Sequence, residues 1–262
     1  MSYFSITIII ALIISVISFR AKLLTMEGNI AQFILAALIF GLGGIKWSVP
    51  ILTFFFLSSI LSKIRKNKNA DVEKFFEKSG QRDHWQVIAN GGIGGILVII
   101  NFLHSSELLY MIYVSSIAAV CADTWATEIG TLKKTKTFNI LNLKTVEQGS
   151  SGGISFVGTM GSVLGAFIIP VSSVSFLGKN YFYWILAVTV SGLLGSLTDS
   201  VLGASLQAQF YCSICGKITE HKIHCGKTSS LKKGFYRINN DVVNFITSCA
   251  GGAFIVVLKF CL

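Results

Sequence analysis

Apolar segments long enough to cross a lipid bilayer recur along almost the whole chain. A transmembrane helix needs about 20 mostly apolar residues, because each residue adds about 1.5 Å to the length of a helix. These segments are continuous rather than alternating, which excludes the strands of an outer-membrane barrel. The sequence therefore predicts an all-α fold, a polytopic bundle of membrane-spanning helices.

The composition agrees with this fold class. Hydrophobic residues make up 52% of the 262 residues and charged residues only 13%, whereas soluble domains carry about 25% charged residues. So little charge cannot cover the surface of a soluble enzyme, and so much apolar content excludes a disordered chain. The 25 glycines are also typical of helices that pack in lipid.

Hydropathy predicts eight spans within a single integral-membrane domain, 1–262. Their approximate bounds are 3–19, 29–45, 47–62, 84–103, 107–130, 153–176, 180–206 and 241–261. The first span has no basic segment before it and no small-residue cleavage site before Arg20, so we expect a retained helix rather than a signal peptide. Residues 207–240 are predicted to form a cytoplasmic loop.

Positive charge falls almost entirely on one side of the predicted membrane. Nineteen of the 22 Lys and Arg residues lie in alternate loops, at 20–22, 63–82, 133–144 and 217–237. By the positive-inside rule these four loops face the cytoplasm, and both termini lie outside. The net charge of +10 therefore indicates topology, and we expect no nucleic-acid partner.

Two acidic residues lie inside predicted spans, near the ends that face the cytoplasm. Asp123 is near the end of the fifth span, Asp199 is near the end of the seventh, and Glu128 follows Asp123 by a turn and a half. An ionisable residue within a span costs about 2.5–3.5 kcal/mol on insertion scales, so it indicates a functional site. The structural alternative for either residue is a buried carboxyl hydrogen-bonded to a neighbouring helix, or an acid whose side chain reaches the membrane interface.

The loop after the fifth span carries a run of small residues. Lys144 and Glu147 precede this run, which consists of Gly149, Ser150, Ser151, Gly152 and Gly153. Small residues let backbone N–H groups approach an anion closely, and the N-terminus of the following helix adds its dipole. The run is consistent with phosphate binding, and a flexible turn with a helix cap is the alternative.

Amide side chains open other spans at the same face. Gln86 and Asn90 share one helical face, as do Asn240 and Asn244. Helix capping explains each pair taken singly. Together they would line one site, in which Asn90 and Asn240 are candidates for contacts with a ribose, a base or a phosphate.

A cluster of cysteine and histidine lies in the last cytoplasmic loop. Cys212 and Cys215 form a Cys-x2-Cys pair, and Cys225 follows with His224 beside it and His221 nearby. Reducing conditions disfavour disulfides there, and three thiolates with one imidazole suit tetrahedral zinc. The pattern predicts a structural Cys3His zinc site, with His224 or His221 as the imidazole ligand and a metal-free loop as the alternative.

Several longer segments are specific enough to indicate a family. They are RDHWQVIANGG, ADTWATEIGTL, GSSGGISFVGTMGS, GSLTDSVLGASLQ and CSICGK followed by NNDVVN. In this order, from about residue 20 onwards, they resemble the integral-membrane family that includes transmembrane protein 19 and the plant phytyl-phosphate kinase. The pattern of Lys144, Glu147, Gly149 and Ser150 is also similar, more loosely, to CTP-using polyprenol, dolichol and phytol kinases and to CDP-lipid synthases, with Gln148 interrupting a direct Glu-Gly-Ser.

The resemblance implies a kinase that transfers the γ-phosphate of CTP or ATP to a prenyl or phytyl alcohol or monophosphate at the cytoplasmic surface. Phosphoryl transfer depends mainly on positioning the donor and the acceptor and on neutralising the negative charge of the phosphates. We hypothesise that Asp123 and Asp199, with Glu128, hold Mg²⁺ through carboxylates and waters. The lipid tail would lie between Phe-rich helices.

The remaining candidate residues serve the phosphates in this hypothesis. Lys144 would neutralise nucleotide phosphate, and Glu147 would orient Lys144 or reach the metal. The loop residues Gly149, Ser150 and Gly152 would offer backbone N–H groups.

A cation- or proton-coupled transporter is the alternative function. Aligning Asp123 with Asp199 also places Ser115 on Ser191, a weak sign of an internal repeat of the kind found in transporters. A transporter predicts acids near the bilayer midplane, whereas a kinase predicts acids at the cytoplasmic face. A scaffold protein would leave these acids unexplained. Each case predicts a multi-pass protein in contact with the bilayer, in the plasma membrane if the cell is prokaryotic.

Overall fold

The computed structural model describes residues 3–69 and 80–261. Within these residues the chain forms seven α-helices joined by short strands and loops. The helices are α1 (Tyr3–Arg20), α2 (Met26–Lys68), α3 (His84–Leu103), α4 (Glu107–Gly130), α5 (Phe156–Ser172), α6 (Tyr181–Ser205) and α7 (Asn240–Cys261). The prediction of a helical membrane protein is confirmed.

The longest helix, α2, is broken at Gly44, whose φ of 64° and ψ of −162° are not helical. Leu35 and Ile51, on opposite sides of this break, both contact Gly91 of α3, where a Cβ would lie 2.5 Å and 3.3 Å from their methyl carbons. In a straight helix, 16 residues would separate these two side chains by about 24 Å. The two halves of α2 therefore fold back beside each other.

Buried tyrosines of α4 support the second half of α2 just after this break. Pro50 lies four residues after Lys46 and has no N–H, so the Lys46 carbonyl lacks its helical donor. The Tyr110 hydroxyl donates to that carbonyl at 3.1 Å, and the Tyr113 hydroxyl donates to the Trp47 carbonyl at 2.6 Å. A hydroxyl from the core thus replaces the helical hydrogen bond that Pro50 cannot donate.

Five of the described helices are long and apolar enough to cross a membrane. They are α2, α3, α4, α6 and α7, whereas α1 and α5 are shorter apolar helices. The described helices thus show five candidate spans rather than the predicted eight. Spans 29–45 and 47–62 fall within the one broken helix α2, and α1 and α5 are shorter than a typical span. The predicted span 153–176 starts later, since Gly153 and Ile154 form a strand.

The centre of the bundle is α4, which packs against α5, α6, α7, α2 and α3. Its contact with α5 is close because glycines of α5 face the α4 backbone. A Cβ at Gly161 would lie 2.6 Å from the Trp125 carbonyl oxygen, and one at Gly165 would lie 2.7 Å from that of Cys121. This small-residue packing brings the N-terminal end of α5 beside the C-terminal end of α4.

Two small β structures follow α4 and α6 at one end of the bundle. The first, between α4 and α5, is a sheet of order β2-β1-β3, with strands β1 (Thr137–Asn139), β2 (Thr145–Val146) and β3 (Gly153–Ile154). The second, within 207–240, is called here the β lobe. It comprises β4 (Gln209–Tyr211), β5 (Ile218–Thr219), β6 (Ile223–His224), β7 (Lys227–Thr228) and β8 (Ser230–Lys233).

Candidate functional site

A cavity of about 570 Å³ opens at the end of the bundle that carries the β structures. Its walls are the C-terminal ends of α2, α4 and α6 and the N-terminal ends of α3, α5 and α7. The free N–H groups of three helices therefore point toward this end, which favours an anion. The predicted site residues that line the cavity are Asn90, Asp123, Glu128, Gly149, Ser150, Gly152, Asp199 and Asn240.

The two predicted acids of the spans meet in this cavity. Asp123 of α4 and Asp199 of α6 are both half-buried and lie within hydrogen-bonding reach of each other. The Thr247 hydroxyl of α7 donates to Asp199 Oδ1 at 2.9 Å. Residues of three helices thus hold this pair of carboxyl groups close together. Two ionised carboxylates at this separation repel each other unless they share a cation or a proton.

Glu128 lies in the same cavity but is already engaged. Its Oε1 accepts from the Ser62 hydroxyl and its Oε2 accepts from Arg65 Nε, and both charged side chains are buried. A buried ion pair of this kind fixes α2 against α4, because removing one partner leaves an uncompensated charge. Glu128 therefore orients Arg65 and is poorly placed to serve also as a metal ligand.

Basic side chains from the α1–α2–α3 side line the wall beside the acids. They are Lys22, Lys63, Arg65, Lys66 and Arg82. In the sequence these residues indicated topology, and none of them was predicted as a site residue. They lie in loops predicted on the same side of the membrane as Asp123 and Asp199. This shared side was the signal that could have identified them.

The backbone of Arg82 is held at the cavity by hydrogen bonds to the segment just before α2. Its N–H donates to the Leu23 carbonyl and its own carbonyl accepts from the Thr25 N–H, both at 3.0 Å. Burial lowers the pKa of Arg82 from its ordinary value, and the Glu128 carboxylate acts in the opposite direction. The guanidinium remains charged at neutral pH because arginine starts from so high a pKa.

The Gly/Ser run is folded tightly onto α6. At Gly152, with φ of +73°, a Cβ would lie 2.3 Å from that of Ala204, so only glycine fits. The prediction was that the Ser150 N–H binds a phosphate. In the structure this N–H donates to the Glu147 carbonyl at 3.1 Å and is not available to a phosphate. Gln148 donates to the Gly130 and Lys133 carbonyls at 2.7 Å and 2.8 Å, which caps the end of α4.

Lys144 and Glu147 do not belong to the described lining of the cavity, and both are exposed. The reason is local: β1 pairs with β2 just before the run, so Lys144 lies in the connection between these strands. The sequence spacing placed both residues next to the Gly/Ser run, but the strand pairing directs them to the outside.

The amide residues are divided between capping and the cavity. Asp83 caps α3 by accepting from the Gln86 N–H at 3.0 Å, and the Gln86 side chain accepts from the Asp83 N–H. Gln86 thus has the capping role that was the alternative. Asn90 Oδ1 is buried without a partner among the described residues, while Asn240 and Asn244 open α7 at the cavity wall.

A narrow apolar cleft begins where the cavity meets α3. It is shaped by the two halves of α2 and shares three polar residues with the cavity, which are Arg82, Gln86 and Asn90. Its apolar lining includes Leu35, Ile39, Ile51, Phe54 and Phe55. A polar chamber that continues into an apolar cleft suits an amphipathic ligand.

The predicted cysteine cluster comes together in the β lobe, outside the cavity lining. The ligand atoms of Cys212, Cys215, His224 and Cys225 all lie within 4.8 Å of one another. The backbone N–H of Cys215, followed by the His224 side chain, lowers the pKa of Cys212 to about 6. The imidazole in this cluster is that of His224, and His221 is not part of the cluster.

Comparison with known proteins gives the family. Residues 9–252 match the family described as "Integral membrane protein DUF92". The chain belongs to this family. The matched range includes the segments that form the cavity and the β lobe as well as the membrane helices. The integral-membrane assignment made from the sequence is confirmed.

Relatives within the family come from plants and archaea. The chain is 30% identical to protein PGR of Arabidopsis thaliana over 92% of this chain and 90% of that protein. It is 29% identical to an uncharacterised membrane protein of Methanocaldococcus jannaschii over 98% and 94% of the two chains. It is 23% identical to the chloroplastic protein VTE6 of Arabidopsis thaliana over 90% and 65%. No solved structure matches the chain.

Proposed function

We propose that this protein is a membrane-embedded isoprenoid kinase that transfers the γ-phosphoryl group of CTP or ATP to a prenyl or phytyl monophosphate or alcohol. The observation that carries the proposal is the pairing of Asp123 with Asp199 in a cavity that also holds basic side chains and three helix N-termini. Phosphoryl transfer needs this combination of acids for a metal and positive groups for phosphate.

The carboxyl pair is suited to Mg²⁺. Both side chains offer hard oxygen ligands, and two carboxylates in contact gain most from a shared cation. Asp123 and Asp199 would hold the ion, which when bound neutralises phosphate charge. Thr247 fixes the orientation of Asp199 through its hydrogen bond. Glu128 is left to its ion pair with Arg65.

The basic side chains that line the cavity could make the phosphate contacts that were predicted for Lys144. Lys22, Lys66 and Arg82 line the cavity, whereas Lys144 is exposed outside it. Arginine binds phosphate in a bidentate manner, so Arg82 is the strongest candidate. The acceptor oxygen forms a new bond to the γ-phosphorus as the bond from that phosphorus to the β,γ-bridging oxygen breaks, and CDP or ADP leaves. An ionised monophosphate acceptor has no proton to lose, whereas an alcohol acceptor would transfer its proton to a carboxylate of the Asp123–Asp199 pair.

The apolar cleft supports a lipid acceptor. An isoprenoid tail lying along Leu35, Ile51 and Phe54 would leave its phosphate at Arg82 and Asn90, where cleft and cavity join. With an alcohol acceptor in the same place, the unpartnered Asn90 Oδ1 would accept from the hydroxyl of that alcohol. The cleft thus supports an acceptor that carries an apolar tail.

The break in α2 supports the predicted topology as part of this proposal. If each half of α2 and the two shorter apolar helices α1 and α5 all cross the membrane, the bundle has eight crossings. The α1–α2, α2–α3, α4–α5 and α6–α7 connections then share the face that bears the cavity. These connections carry most of the positive charge, so the site faces the cytoplasm, where nucleotides are found.

The direct test is phosphoryl transfer by the purified protein in lipid nanodiscs. It would be given γ-labelled CTP or ATP with Mg²⁺ and phytyl, geranylgeranyl, farnesyl or dimethylallyl alcohols and monophosphates. We expect labelled product with at least one of these acceptors. Asp123→Asn and Asp199→Asn should each lower kcat/KM by about 10²–10³-fold, since charge stabilisation of the transferring group is lost.

Glu107→Gln is the matched control, because Glu107 is exposed at the opposite end of α4 from Asp123. Its activity should equal that of the unmodified chain. The kinase proposal fails if correctly folded protein transfers no phosphate to any of these acceptors. Full activity in both aspartate variants would instead refute the site while leaving the reaction in place.

A cation-coupled transporter is the second candidate, and one observation favours it. Ser115 and Ser191, at equivalent positions relative to the two aspartates, are fully buried with hydroxyls that lack a partner among the described residues. Flux of a cation or proton through reconstituted liposomes, lost in Asp123→Asn, would support this function in place of the kinase.

A further inference from the structure

The β lobe contains a cluster of metal-ligating side chains that the phosphoryl-transfer site does not use. Cys215 Sγ and Cys225 Sγ lie 3.5 Å and 3.3 Å from His224 Nδ1, and Cys212 completes the group. Ligand atoms around tetrahedral zinc are separated by about 3.5–3.8 Å, given Zn–S near 2.3 Å and Zn–N near 2.1 Å. The two sulfur–nitrogen distances are close to this spacing, and all four ligand atoms lie within 4.8 Å of one another, so one ion could gather them with small movements of the side chains.

Two tight turns present these ligands. In the first, the Gly216 N–H donates to the Cys212 carbonyl at 2.9 Å and the Cys212 N–H donates to the Lys217 carbonyl at 3.0 Å. This turn brings the thiols of Cys212 and Cys215 to the same side. Gly216 has φ of +69°, a conformation that glycine adopts without strain.

The second turn joins β6 to β7 and contains Cys225 and Gly226, with φ of +51° and +75°. Two-residue hairpin turns with both φ values positive favour Asn-Gly or Asp-Gly. Cysteine is an unfavourable choice at the first of these positions, since it is not among the residues enriched in the left-handed region. A role for its thiol explains why cysteine occupies the turn.

The β lobe has little else to hold it together. Its strands are two to four residues long, and the apolar side chains buried between 207 and 240 are Ala208, Phe210 and Cys212. So small an apolar core supplies little stability, and small folds of this kind usually depend on disulfides or a metal.

The lobe also contacts the Gly/Ser run of the cavity. Glu220, directly after β5, accepts from the Ser151 hydroxyl at 2.6 Å and from Gln207 Nε2 at 2.8 Å. Both Glu220 and Ser151 line the cavity. Glu220 lies between the two cysteine turns in the sequence, joined to the first by β5 and to the second by β6.

We propose that Cys212, Cys215, His224 and Cys225 bind one structural zinc ion, and that this ion holds the β lobe so that Glu220 fixes the Gly/Ser run through Ser151. Soft thiolate ligands select zinc over Mg²⁺. Four protein ligands leave no position for water, so the ion stabilises structure and takes no part in the reaction. The proposal stands independently of the kinase activity.

Metal content tests the first half. Full-length protein purified in detergent without added metal should contain about one zinc per chain by mass spectrometry. Replacing the ion with Co²⁺ should give the visible bands of tetrahedral cobalt thiolate. Cys215→Ser and Cys225→Ser should each reduce bound zinc at least fivefold, while Cys249→Ser, an exposed cysteine of α7, should not change it.

Amide hydrogen exchange tests the second half. The Gly153 N–H donates to the Ser150 carbonyl and the Ile140 N–H donates to the Gly152 carbonyl. Chelation of zinc from the unmodified protein should speed exchange at both amides at least fivefold, and added zinc should reverse the change. Glu220→Ala should produce the same acceleration while zinc stays bound.

Zinc-free protein, or zinc retained in both cysteine variants, would overturn the metal site. Unchanged exchange at Gly153 and Ile140 after reversible chelation would overturn the link to the Gly/Ser run. Because chelation and zinc return are measured on the unmodified chain, the result does not depend on whether a cysteine variant folds. Neither readout requires phosphoryl transfer, so a failed kinase assay leaves both conclusions standing.

Discussion

At the scale of single residues, Arg82 and Lys144 are two alternative cations for a phosphate. Arg82 lines the cavity and is held by backbone hydrogen bonds to Leu23 and Thr25. Lys144 is exposed in the connection between two strands. A cation that touches the substrate contributes a charge-assisted hydrogen bond, whereas an exposed one is screened by solvent.

We therefore expect Arg82→Ala to raise the KM for the nucleotide or the acceptor by about 10–100-fold, because a hydrogen bond to a charged group contributes about 1.5–3 kcal/mol. Lys144→Ala should change KM less than about threefold. Steady-state kinetics of both variants measure this difference. A large loss in Lys144→Ala with normal kinetics in Arg82→Ala would restore the assignment made from the sequence.

Glu128 shows why residue type alone does not assign a role. Its spacing from Asp123 suggested a third metal ligand, yet its carboxylate is occupied by Arg65 and Ser62 from α2. These partners are more than sixty residues away in sequence. Nothing in the local pattern around Glu128 identifies them.

At the scale of elements, close packing between α4 and α5 determines how the cavity is formed. Gly161 and Gly165 lie against the backbone of α4, so the N-terminus of α5 is held near Asp123. Larger side chains there would separate the two helices and widen the cavity. This contact relies on van der Waals packing, which is a main source of helix association in lipid.

Gly161→Ala is expected to lower the unfolding temperature, because its Cβ would lie 2.6 Å from the Trp125 carbonyl oxygen and overpacking costs about 1–3 kcal/mol. Gly92→Ala is the control, since its Cβ would be 3.4 Å from Ile88 Cγ2 and alanine favours the helix. Thermal unfolding in detergent compares the two variants. Equal unfolding temperatures would show that α5 can shift without cost.

At the scale of the whole molecule, the cavity, the β structures and most basic loops share one end of the bundle. The positive-inside rule predicts that this end faces the cytoplasm. The orientation is tested by labelling with a membrane-impermeant maleimide in sealed vesicles of known orientation. Lys134→Cys lies at the cavity end and Ser105→Cys lies in the short connection between α3 and α4.

We expect Ser105→Cys to be labelled from the outside and Lys134→Cys only after the vesicles are opened. Peptide mass spectrometry identifies the labelled site and separates it from the native cysteines. The reverse pattern would place the cavity on the outer face, where cellular nucleotides do not reach it. Such a result would exclude the cytoplasmic kinase and favour the transporter.

Much of the fold and part of the site were predictable because they depend on local properties of the sequence. Hydropathy along the chain predicts helices in lipid, and the cost of an ionisable group in a span singles out Asp123 and Asp199. The Cys-x2-Cys pair and its histidine likewise predict a metal cluster from spacing alone. Sequence motifs were also sufficient to indicate the family.

Other features were decided only by tertiary structure, because they depend on distant partners. Hydropathy places a residue within a span, but it does not fix how far each helix is rotated or which helices meet. Packing of α4 against α5, α6 and α7 brings Asp123 to Asp199, and the fold of α2 at Gly44 brings Arg65 to Glu128. Pairing of β1 with β2 leaves Lys144 outside. The sequence by itself determined which residues are costly to bury, and the tertiary structure decided which of them share a cavity.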